Sequence, residues 1–102
     1  MKTAPKKTMP LDYVTRMSEA IKVIGHAQRI QILEHLDLAG EATVTQIVEA
    51  VSGSQGAISQ HLGKMRTAGL ITCRRDNKHV YYRLQAESVR TILNCMRKNA
   101  PA

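Results

Sequence analysis

The 102-residue sequence predicts a mainly α-helical domain with one small β-hairpin, in the order α-α-α-α-β-β-α. Three observations predict this class. Apolar residues recur at helical spacing in five separate stretches. Two β-prone runs flank a short polar turn near the C-terminal end of the chain. Hydrophobic residues make up 43% of the sequence, which is enough for the modest core of one small domain.

The first nine residues, MKTAPKKTM, are basic and lack a periodic apolar pattern. We therefore expect a flexible arm over residues 1–9, one folded domain over residues 10–99 and a short tail over residues 100–102. The basic start is not followed by an apolar run, and no stretch is long and apolar enough to span a membrane. These features predict a cytoplasmic protein.

The first two predicted helices cover residues 10–24 and 26–38. Pro10 suits the first turn of a helix, and apolar residues follow it at i, i+4, i+7 and i+11. Gly25 separates the two helices, and Ala39-Gly40 ends the second one.

A tight link joins the next two predicted helices. Residues 44–51 form a short amphipathic helix with Thr43 as its candidate N-cap, and residues 54–68 form the next helix with Ser54 as its N-cap. The link Ser52-Gly53 contains a glycine, which allows the positive φ of a sharp corner. This is the helix-turn-helix pattern, in which the second helix enters the major groove of DNA.

The predicted helix over residues 54–68 has two contrasting faces. Its apolar side carries Ile58, Leu62 and Met65, with His61 at the edge. The opposite face has no acidic and no large apolar residue, and each of its two glycines costs about 1 kcal/mol relative to alanine. Close approach to another large molecule explains such glycines, and local tolerance is the alternative. The outer face consists of Gly56, Ser59, Gln60, Gly63, Lys64 and Thr67.

A basic hairpin follows this helix. Gly69 is placed to end the helix, and β-prone runs over residues 71–75 and 78–84 flank a turn at Asp76-Asn77. A basic hairpin directly after a helix-turn-helix indicates a wing; the alternative is a solvated edge hairpin whose charges prevent aggregation. The tip is expected to carry Arg74, Arg75, Lys78 and His79.

Positive charge is concentrated where DNA would dock. The formal net charge is +7, and residues 61–83 contain six Lys and Arg residues against one Asp. The predicted partner is double-stranded DNA rather than a membrane, because the charges do not lie on one long basic amphipathic helix. His61 is expected to combine packing with a phosphate contact. The predicted DNA-binding residues are Ser54, Gln55, Gly56, Ser59, Gln60, His61, Lys64, Arg66, Arg74, Arg75, Lys78 and His79.

The last predicted helix, over residues 86–99, is apolar on one side, like the first. Three central helices and a hairpin already form a compact unit, so these two outer helices have stripes that need cover. We expect a second copy to cover them in a twofold homodimer; the alternative is that both helices fold back on their own core. The predicted interface residues are Tyr13, Met17, Ile21, Val89, Ile92, Leu93 and Met96.

Two other classes of function fit the sequence less well. The chain has no Gly-rich phosphate loop, nucleophile elbow or paired-carboxylate pattern, so we expect neither an enzyme nor a bound cofactor. A protein-interaction module would carry apolar anchors on the outer face of the helix over residues 54–68. That face is polar, which favours DNA binding.

Four segments resemble the ArsR/SmtB family of bacterial winged-helix repressors. They are HAQRIQIL (residues 26–33), SQHL (59–62), AGLI (68–71) and VYYRL (80–84), and the resemblance covers about residues 11–98. It implies a homodimer built on the first and last helices. It also implies operator binding through the helix around Gln55 to His61, a wing on the flanking DNA, and repression by blocking polymerase.

The metal-binding positions of that family carry residues unsuited to metals here. One family site uses a Cys-x-Cys pair, which this chain replaces by Thr43 and Thr45, poor ligands for thiophilic ions. No two of the remaining histidines and cysteines have tight ligand spacing, so no metal site is predicted. The family's second site, on the last helix, is replaced by Ala86, Ser88, Asn99 and Ala102.

A thiol switch is the alternative mode of regulation. Some members of the family without metal sites respond through cysteine pairs, and Cys73 and Cys95 are the two cysteines of this chain. A bond between them, or between Cys95 and its copy in a dimer, would lock the wing. The competing interpretation is that both are small apolar residues, because reactivity requires an exposed thiol of low pKa.

Overall fold

The computed structural model describes residues 7–101 and confirms the predicted class. Every predicted helix and strand is present in the predicted order, with boundaries that differ by at most one residue. Residues 1–6 of the predicted arm (1–9) and Ala102 lie outside the described residues. The elements are α1 (Leu11–Ile24), α2 (Ala27–Ala39), α3 (Val44–Ala50), α4 (Gln55–Thr67), β1 (Ile71–Asp76), β2 (His79–Leu84) and α5 (Glu87–Asn99).

The predicted caps fix where the two central helices begin. Thr43 Oγ1 accepts a hydrogen bond from the Gln46 N–H at 3.2 Å, and Gln46 Oε1 accepts one from the Thr43 N–H at 2.9 Å. This reciprocal capping box satisfies two backbone donors at the start of α3. Ser54 Oγ accepts from the Ala57 N–H at 3.1 Å and begins α4. Both predicted N-caps are confirmed.

A Schellman motif ends α4 and directs the chain into the hairpin. Gly69 has φ +79°, its N–H donates to the Arg66 carbonyl, and the Leu70 N–H donates to the Met65 carbonyl, both at 3.0 Å. Leu70 and Ile71 are then buried immediately after the turn. The direction of the hairpin relative to α4 is therefore fixed by both backbone hydrogen bonds and packing.

The hairpin is antiparallel, with a register that runs from Ile71 opposite Leu84 to Asp76 opposite His79. Its two-residue loop is Asn77-Lys78, and Asn77 takes the left-handed φ of 56° that asparagine tolerates. The predicted turn at Asp76-Asn77 is therefore wrong by one residue, because Asp76 still pairs with His79 as the last residue of β1.

The base of the hairpin gains a third short partner from the loop between α2 and α3. Ala42 and Tyr82 exchange two backbone hydrogen bonds, Ala42 N–H to Tyr82 O at 3.0 Å and Tyr82 N–H to Ala42 O at 2.8 Å. Ala42 is itself buried. Ala42 thus pairs with the edge of β2 that faces away from β1, and this pairing anchors the hairpin to the helical body.

The hydrophobic core lies between α2, α3, α4, the base of the hairpin and α5. None of the helices within residues 7–101 is long and apolar enough to cross a membrane. The largest fully buried side chains are Ile32, Leu33, Leu36, Ile47, Ile58, Leu62, Met65, Ile71 and Val89.

Helix α1 protrudes from this core. Ile24, its last residue, is the one buried side chain of the helix. The Cα radius of gyration is 16.2 Å, whereas a compact domain of 100 residues has a value of about 13 Å. The longest dimension, 63 Å, is nearly twice the next, 34 Å. A single copy of the chain therefore leaves most of α1 without a packing partner.

Helix α5 is fastened to α2 by ion pairs around Asp37. Arg90 Nε lies 2.8 Å and Arg97 Nη1 2.9 Å from its two carboxylate oxygens, and Arg97 Nε also lies 3.1 Å from Glu34. The hydrogen bond from Arg90, together with the charge and hydrogen bond of Arg97, lowers the pKa of Asp37 below its ordinary value. The inner side of α5 is thereby held against the protomer's own core.

This docking corrects part of the predicted dimer interface. Val89 and Leu93 are 1% and 3% exposed because they pack into the protomer's own core, so they are not available to a second copy. Apolar spacing alone did not separate them from Ile92 and Met96 one turn away. Ile92 is half-buried and Met96 is exposed, so both stay within the predicted interface.

Candidate nucleic-acid interface

The two faces of α4 are as the sequence predicted. Ile58, Leu62 and Met65 are fully buried against the core. The opposite side, which we call the recognition face, is exposed along its whole length, and Arg66 lies exposed beside it. The recognition face consists of Gln55, Gly56, Ser59, Gln60, Gly63, Lys64 and Thr67.

The glycines of the recognition face have no internal reason to be glycine. A Cβ atom added at Gly56 or Gly63 would meet no heavy atom within 4 Å. Gly53 differs, since it has φ +144° and its added Cβ would collide with the Gln28 side chain. The corner before α4 thus requires its predicted glycine. The two glycines on α4 instead leave the helix backbone accessible to a molecule that binds the recognition face.

A polar network holds α4 against α2. Arg29 Nε donates to His61 Nδ1 at 2.9 Å, and His61 Nε2 donates to Gln28 Oε1 at 2.7 Å. Gln28 Nε2 donates to the Ser52 carbonyl in the helix-turn-helix corner, and Arg29 Nη1 donates to the Val23 carbonyl at 3.0 Å. The network therefore connects the end of α1, the start of α2, the corner and α4.

His61 is a neutral member of this network. Burial lowers the pKa of the His61 imidazole below its ordinary value, and the nearby charges of His26, Arg29 and Lys64 lower this pKa further. Both ring nitrogens are engaged within the chain. The predicted phosphate contact of His61 would require one of these hydrogen bonds to break, whereas its predicted packing role agrees with the geometry.

Acidification through the titration range of His61 is expected to destabilise the protein. The folded-state pKa lies below the ordinary value of about 6.5, so the unfolded state binds more protons as the pH falls. Stability is thus fully present near pH 7 and is lost as the pH decreases from about 6.5 through the folded pKa. Urea unfolding between pH 7 and 5 should show a steeper loss for the wild type than for His61→Gln.

The exposed His79 provides the matched control for this titration. His79→Gln likewise replaces an imidazole by an amide, but on the exposed hairpin, and its urea unfolding is the reference for His61→Gln. Parallel curves for the wild type and His61→Gln would show that His61 does not sense pH in this range.

Arg74 is committed to partners within the chain. Its guanidinium forms a bidentate ion pair with Glu41, with Nη2–Oε1 at 2.6 Å and Nε–Oε2 at 3.1 Å. It also lies over the Tyr81 ring, 4.6 Å from the centroid, and 3.7 Å from Asp76. This hydrogen-bonded pairing lowers the pKa of Glu41. Arg74 thus braces the hairpin against the α2–α3 loop, and the prediction that it lies at the tip is corrected.

Arg75, Lys78 and His79 form the exposed end of the hairpin, which we call the wing tip. All three are exposed, and His79 has its ring 6.2 Å from that of Tyr81. Within residues 7–101, Arg75 and Lys78 form no side-chain hydrogen bond or ion pair with another residue of the chain. Both cations are therefore available to an external anion.

An apolar surface lies on the outer side of α1, next to α5. Tyr13, Ile21 and Met96 remain exposed, with Ile21 at 53%. Side chains from both helices form one continuous depression there, which we call the α1–α5 face. The α1–α5 face consists of Met9, Tyr13, Val14, Met17, Ser18, Ile21 and Ile92.

The two cysteines of the chain lie apart from the recognition face. Cys73 is half-buried on β1 opposite Tyr82, and Cys95 is exposed on α5, with Asn99 Nδ2 4.0 Å from its sulfur. Both are free thiols. In the part of the chain that the structure describes, no three His, Cys, Asp or Glu side chains are grouped to hold a metal ion. A cysteine switch stays a prediction.

Sequence spacing did not predict the roles of Gln28 and Arg29. Gln28 bonds to His61, 33 positions away, and to the Ser52 carbonyl, 24 positions away, and Arg29 bonds to His61, 32 positions away. Contacts between residues so far apart leave no local periodic signal in the sequence. The available signal was their presence in the segment HAQRIQIL, which carried the family resemblance. His26, predicted as a helix-start residue, is confirmed as the N-cap of α2, with Nδ1 accepting from the Gln28 N–H at 3.2 Å.

A helix-turn-helix with a polar outer face, followed by a hairpin with available cations, defines a winged helix-turn-helix protein. Comparison with known proteins assigns the family. The family model described as "Bacterial regulatory protein, arsR family" matches residues 26–72. This protein belongs to the arsR family of bacterial regulatory proteins.

Individual relatives support this assignment over most of the chain. The HTH-type transcriptional regulator KmtR of Mycobacterium tuberculosis is 35% identical over 85 residues, covering 83% of this chain and 65% of KmtR. The transcriptional activator HlyU of Vibrio cholerae is 31% identical over 78 residues, covering 76% of this chain and 71% of HlyU. The chain thus spans slightly less than two thirds of the length of KmtR.

A solved structure shows the same fold. The transcriptional repressor BigR from Xylella fastidiosa superimposes with a TM-score of 0.79 at 26% sequence identity, covering 93% of this chain and 99% of that of BigR. The family and these relatives are transcriptional regulators, in agreement with the expectation that the chain is not an enzyme.

Proposed function

We propose that this protein is a sequence-specific DNA-binding repressor that binds an inverted-repeat operator as a homodimer. The observation that carries the proposal is the exposed recognition face of α4, which is polar, free of acidic residues and adjacent to the available cations of the wing tip. Such a surface complements the major groove and its flanking phosphates.

The residues of the recognition face divide by position along α4. Gln55, Ser59 and Gln60 lie in its first half, and N-terminal residues of a recognition helix contact base edges. Glutamine can form a bidentate pair with adenine, and serine can bond to several bases. Arg75 and Lys78 of the wing tip contact the adjacent backbone or minor groove. The Ser54 hydroxyl caps α4, so its role is to hold the first turn in place.

The α1–α5 face supports the homodimer. A protruding helix with an exposed apolar stripe requires cover, and a second copy supplies the same stripe by twofold symmetry. Such a dimer presents two copies of α4 to sites separated by about 34–36 Å, one turn of DNA. This spacing matches an inverted-repeat operator.

Repression is the proposed direction of regulation, because a dimer on promoter DNA excludes polymerase. Of the relatives described above, BigR is named a repressor and HlyU an activator. Regulation does not use the usual metal sites of the family, since Thr43 serves as the cap of α3 and α5 lacks the expected ligands. The proposed location is the cytoplasm, where the DNA is.

The first test is a binding titration on the protein's own upstream DNA and on an unrelated duplex at several salt concentrations. Arg75→Ala and Lys78→Ala should each weaken binding to both duplexes and reduce the salt slope by about 1, because each removes a phosphate contact. Arg74→Ala is the matched control: it removes an arginine of the same hairpin that pairs with Glu41, and the slope should stay unchanged.

The outcomes of this titration separate the candidate functions. A reduced salt slope for Arg74→Ala would show that Arg74 contacts a DNA phosphate after all. Absence of specific binding by the wild type would overturn DNA regulation in favour of a protein-interaction module.

The exposed thiol of Cys95 provides the alternative of a redox switch. Loss of binding only in oxidised protein, prevented by Cys95→Ser, would establish that alternative.

A further inference from the structure

A shallow groove lies beside α4 from Gln60 to Thr67, where this helix meets the junction of α1 and α2. Its α4 wall is formed by Gln60, Gly63, Lys64 and Thr67, whose spacing of i, i+3, i+4 and i+7 places them on one side of the helix. Among the residues that the structure describes, no acidic side chain lines the groove. We call this feature the α4 groove; its lining includes Val23, Arg29, Gln60, Gly63, Lys64 and Thr67.

The α4 groove contains two cations in different states. Arg29 is fixed, because Nε donates to His61 and Nη1 to the Val23 carbonyl, whereas Nη2 makes no hydrogen bond within the described range 7–101. Lys64 is exposed and has no acidic partner among the same residues. A fixed guanidinium loses little further conformational freedom on binding an oxyanion, and a lysine adds a mobile point charge.

Gly63 gives the groove an open floor. A Cβ atom at this position would meet nothing within 4 Å, so the missing side chain leaves space on the groove side of the helix. The helix dipole does not favour an anion near the C-terminal end of α4. Arg29 and Lys64 provide the opposing positive charge, and the Thr67 hydroxyl adds a neutral hydrogen-bond donor at one end of the groove.

The position of the groove specifies the kind of anion. When the first half of a recognition helix contacts base edges in the major groove, neighbouring surfaces of the domain face the sugar-phosphate backbone. The α4 groove extends from the middle of α4 to its C-terminal end and onto α1 and α2. We propose that it binds one phosphate of the DNA backbone, with Arg29 and Lys64 as ligands and Gly63 permitting close approach. This inference rests on the proposed DNA-binding function.

Two substitutions test the groove without disturbing the core. Gly63→Ala fills the floor, and the variant should be at least as stable as the wild type in urea because alanine is the better helix former and its methyl group meets nothing. Its affinity should nevertheless fall by roughly threefold to tenfold on upstream and unrelated DNA alike. Lys64→Gln should reduce the salt slope by about 1.

Lys98→Gln is the matched control, because it removes one exposed lysine from α5 and should leave the slope unchanged. Wild-type affinity and slope in both groove variants would overturn the phosphate site while leaving the proposed function intact. A loss confined to the upstream DNA would assign a base contact and also overturn it. Failure of the wild type to bind any DNA would overturn both proposals.

Inorganic phosphate distinguishes the two sources of a phosphate group. At a constant sodium concentration, inorganic phosphate at low concentration should leave the DNA-binding curve unchanged if the groove is occupied by the DNA backbone, because an isolated phosphate lacks the other contacts of the duplex. Release of DNA that is specific to phosphate, and absent in Lys64→Gln, would assign a free anionic ligand to the groove and overturn the proposed occupant.

Discussion

Ile21→Glu is expected to convert the protein from a dimer to a monomer and to weaken binding to an inverted-repeat site by roughly a hundredfold or more. Ile21 is 53% exposed in the single chain and lies in the α1–α5 face. Burying a glutamate against the apolar face of a second copy would remove a charge from water without a partner, which is far more costly than the loss of apolar packing. Without the dimer, each recognition helix binds one half-site alone.

Light scattering after size exclusion measures this change directly. The monomer mass is 11.3 kDa, so the wild type should show about twice that value and the variant the monomer value. Leu38→Glu is the matched control, because Leu38 is an apolar residue that is 71% exposed at the end of α2, outside the α1–α5 face. A dimeric Ile21→Glu variant would show that a different surface forms the dimer.

Gln60→Ala is expected to reduce the preference for the operator over unrelated DNA by about 1–3 kcal/mol, the usual value of one bidentate pair between a side chain and a base. Gln60 is exposed on the recognition face and borders its first half, where base edges are within reach. Removing the amide of Gln60 eliminates its bidentate pair with a base of the operator. On unrelated DNA no such pair forms, so little binding energy is lost there. The affinity for unrelated DNA should therefore stay close to that of the wild type.

The ratio of the two affinities, measured at one salt concentration, is the required observation. Gln31→Ala provides the control, since Gln31 is an exposed glutamine on α2 and is absent from both the recognition face and the α4 groove. An equal loss of affinity on both duplexes would show that Gln60 binds the DNA backbone. Unchanged affinity on both would remove it from the interface.

Local signals account for the accuracy of the predicted elements. Thr43 and Ser54 cap helices through their own side chains, and Gly69 ends α4 through its φ, so each boundary is determined by residues close in sequence. The turn at Asn77 was placed one residue early because Asp and Asn both suit turns and only the strand register separates them.

Contacts between distant residues account for what the sequence did not predict. Arg74 and Arg75 are adjacent arginines in the same strand, so the local sequence does not distinguish their roles. Only the contact of Arg74 with Glu41, 33 positions away, shows that Arg74 is structural and that Arg75 is available to DNA. Apolar spacing placed Val89 and Met96 on one stripe of α5, yet docking on α2 buries the first and exposes the second. Arg29 has no local pattern that separates it from a solvated surface residue.

The protrusion of α1 has a consequence for how the protein responds to its own abundance. A helix of 14 residues is marginally stable in water by itself, and Ile24 is the one fully buried residue of α1 in the protomer. In the proposed dimer, the folding of α1 and the association of two chains are therefore one coupled equilibrium. At low concentration the DNA-binding species then increases with the square of the protomer concentration. In the proposed dimer, occupancy of the operator would therefore rise more steeply than the abundance of the protein.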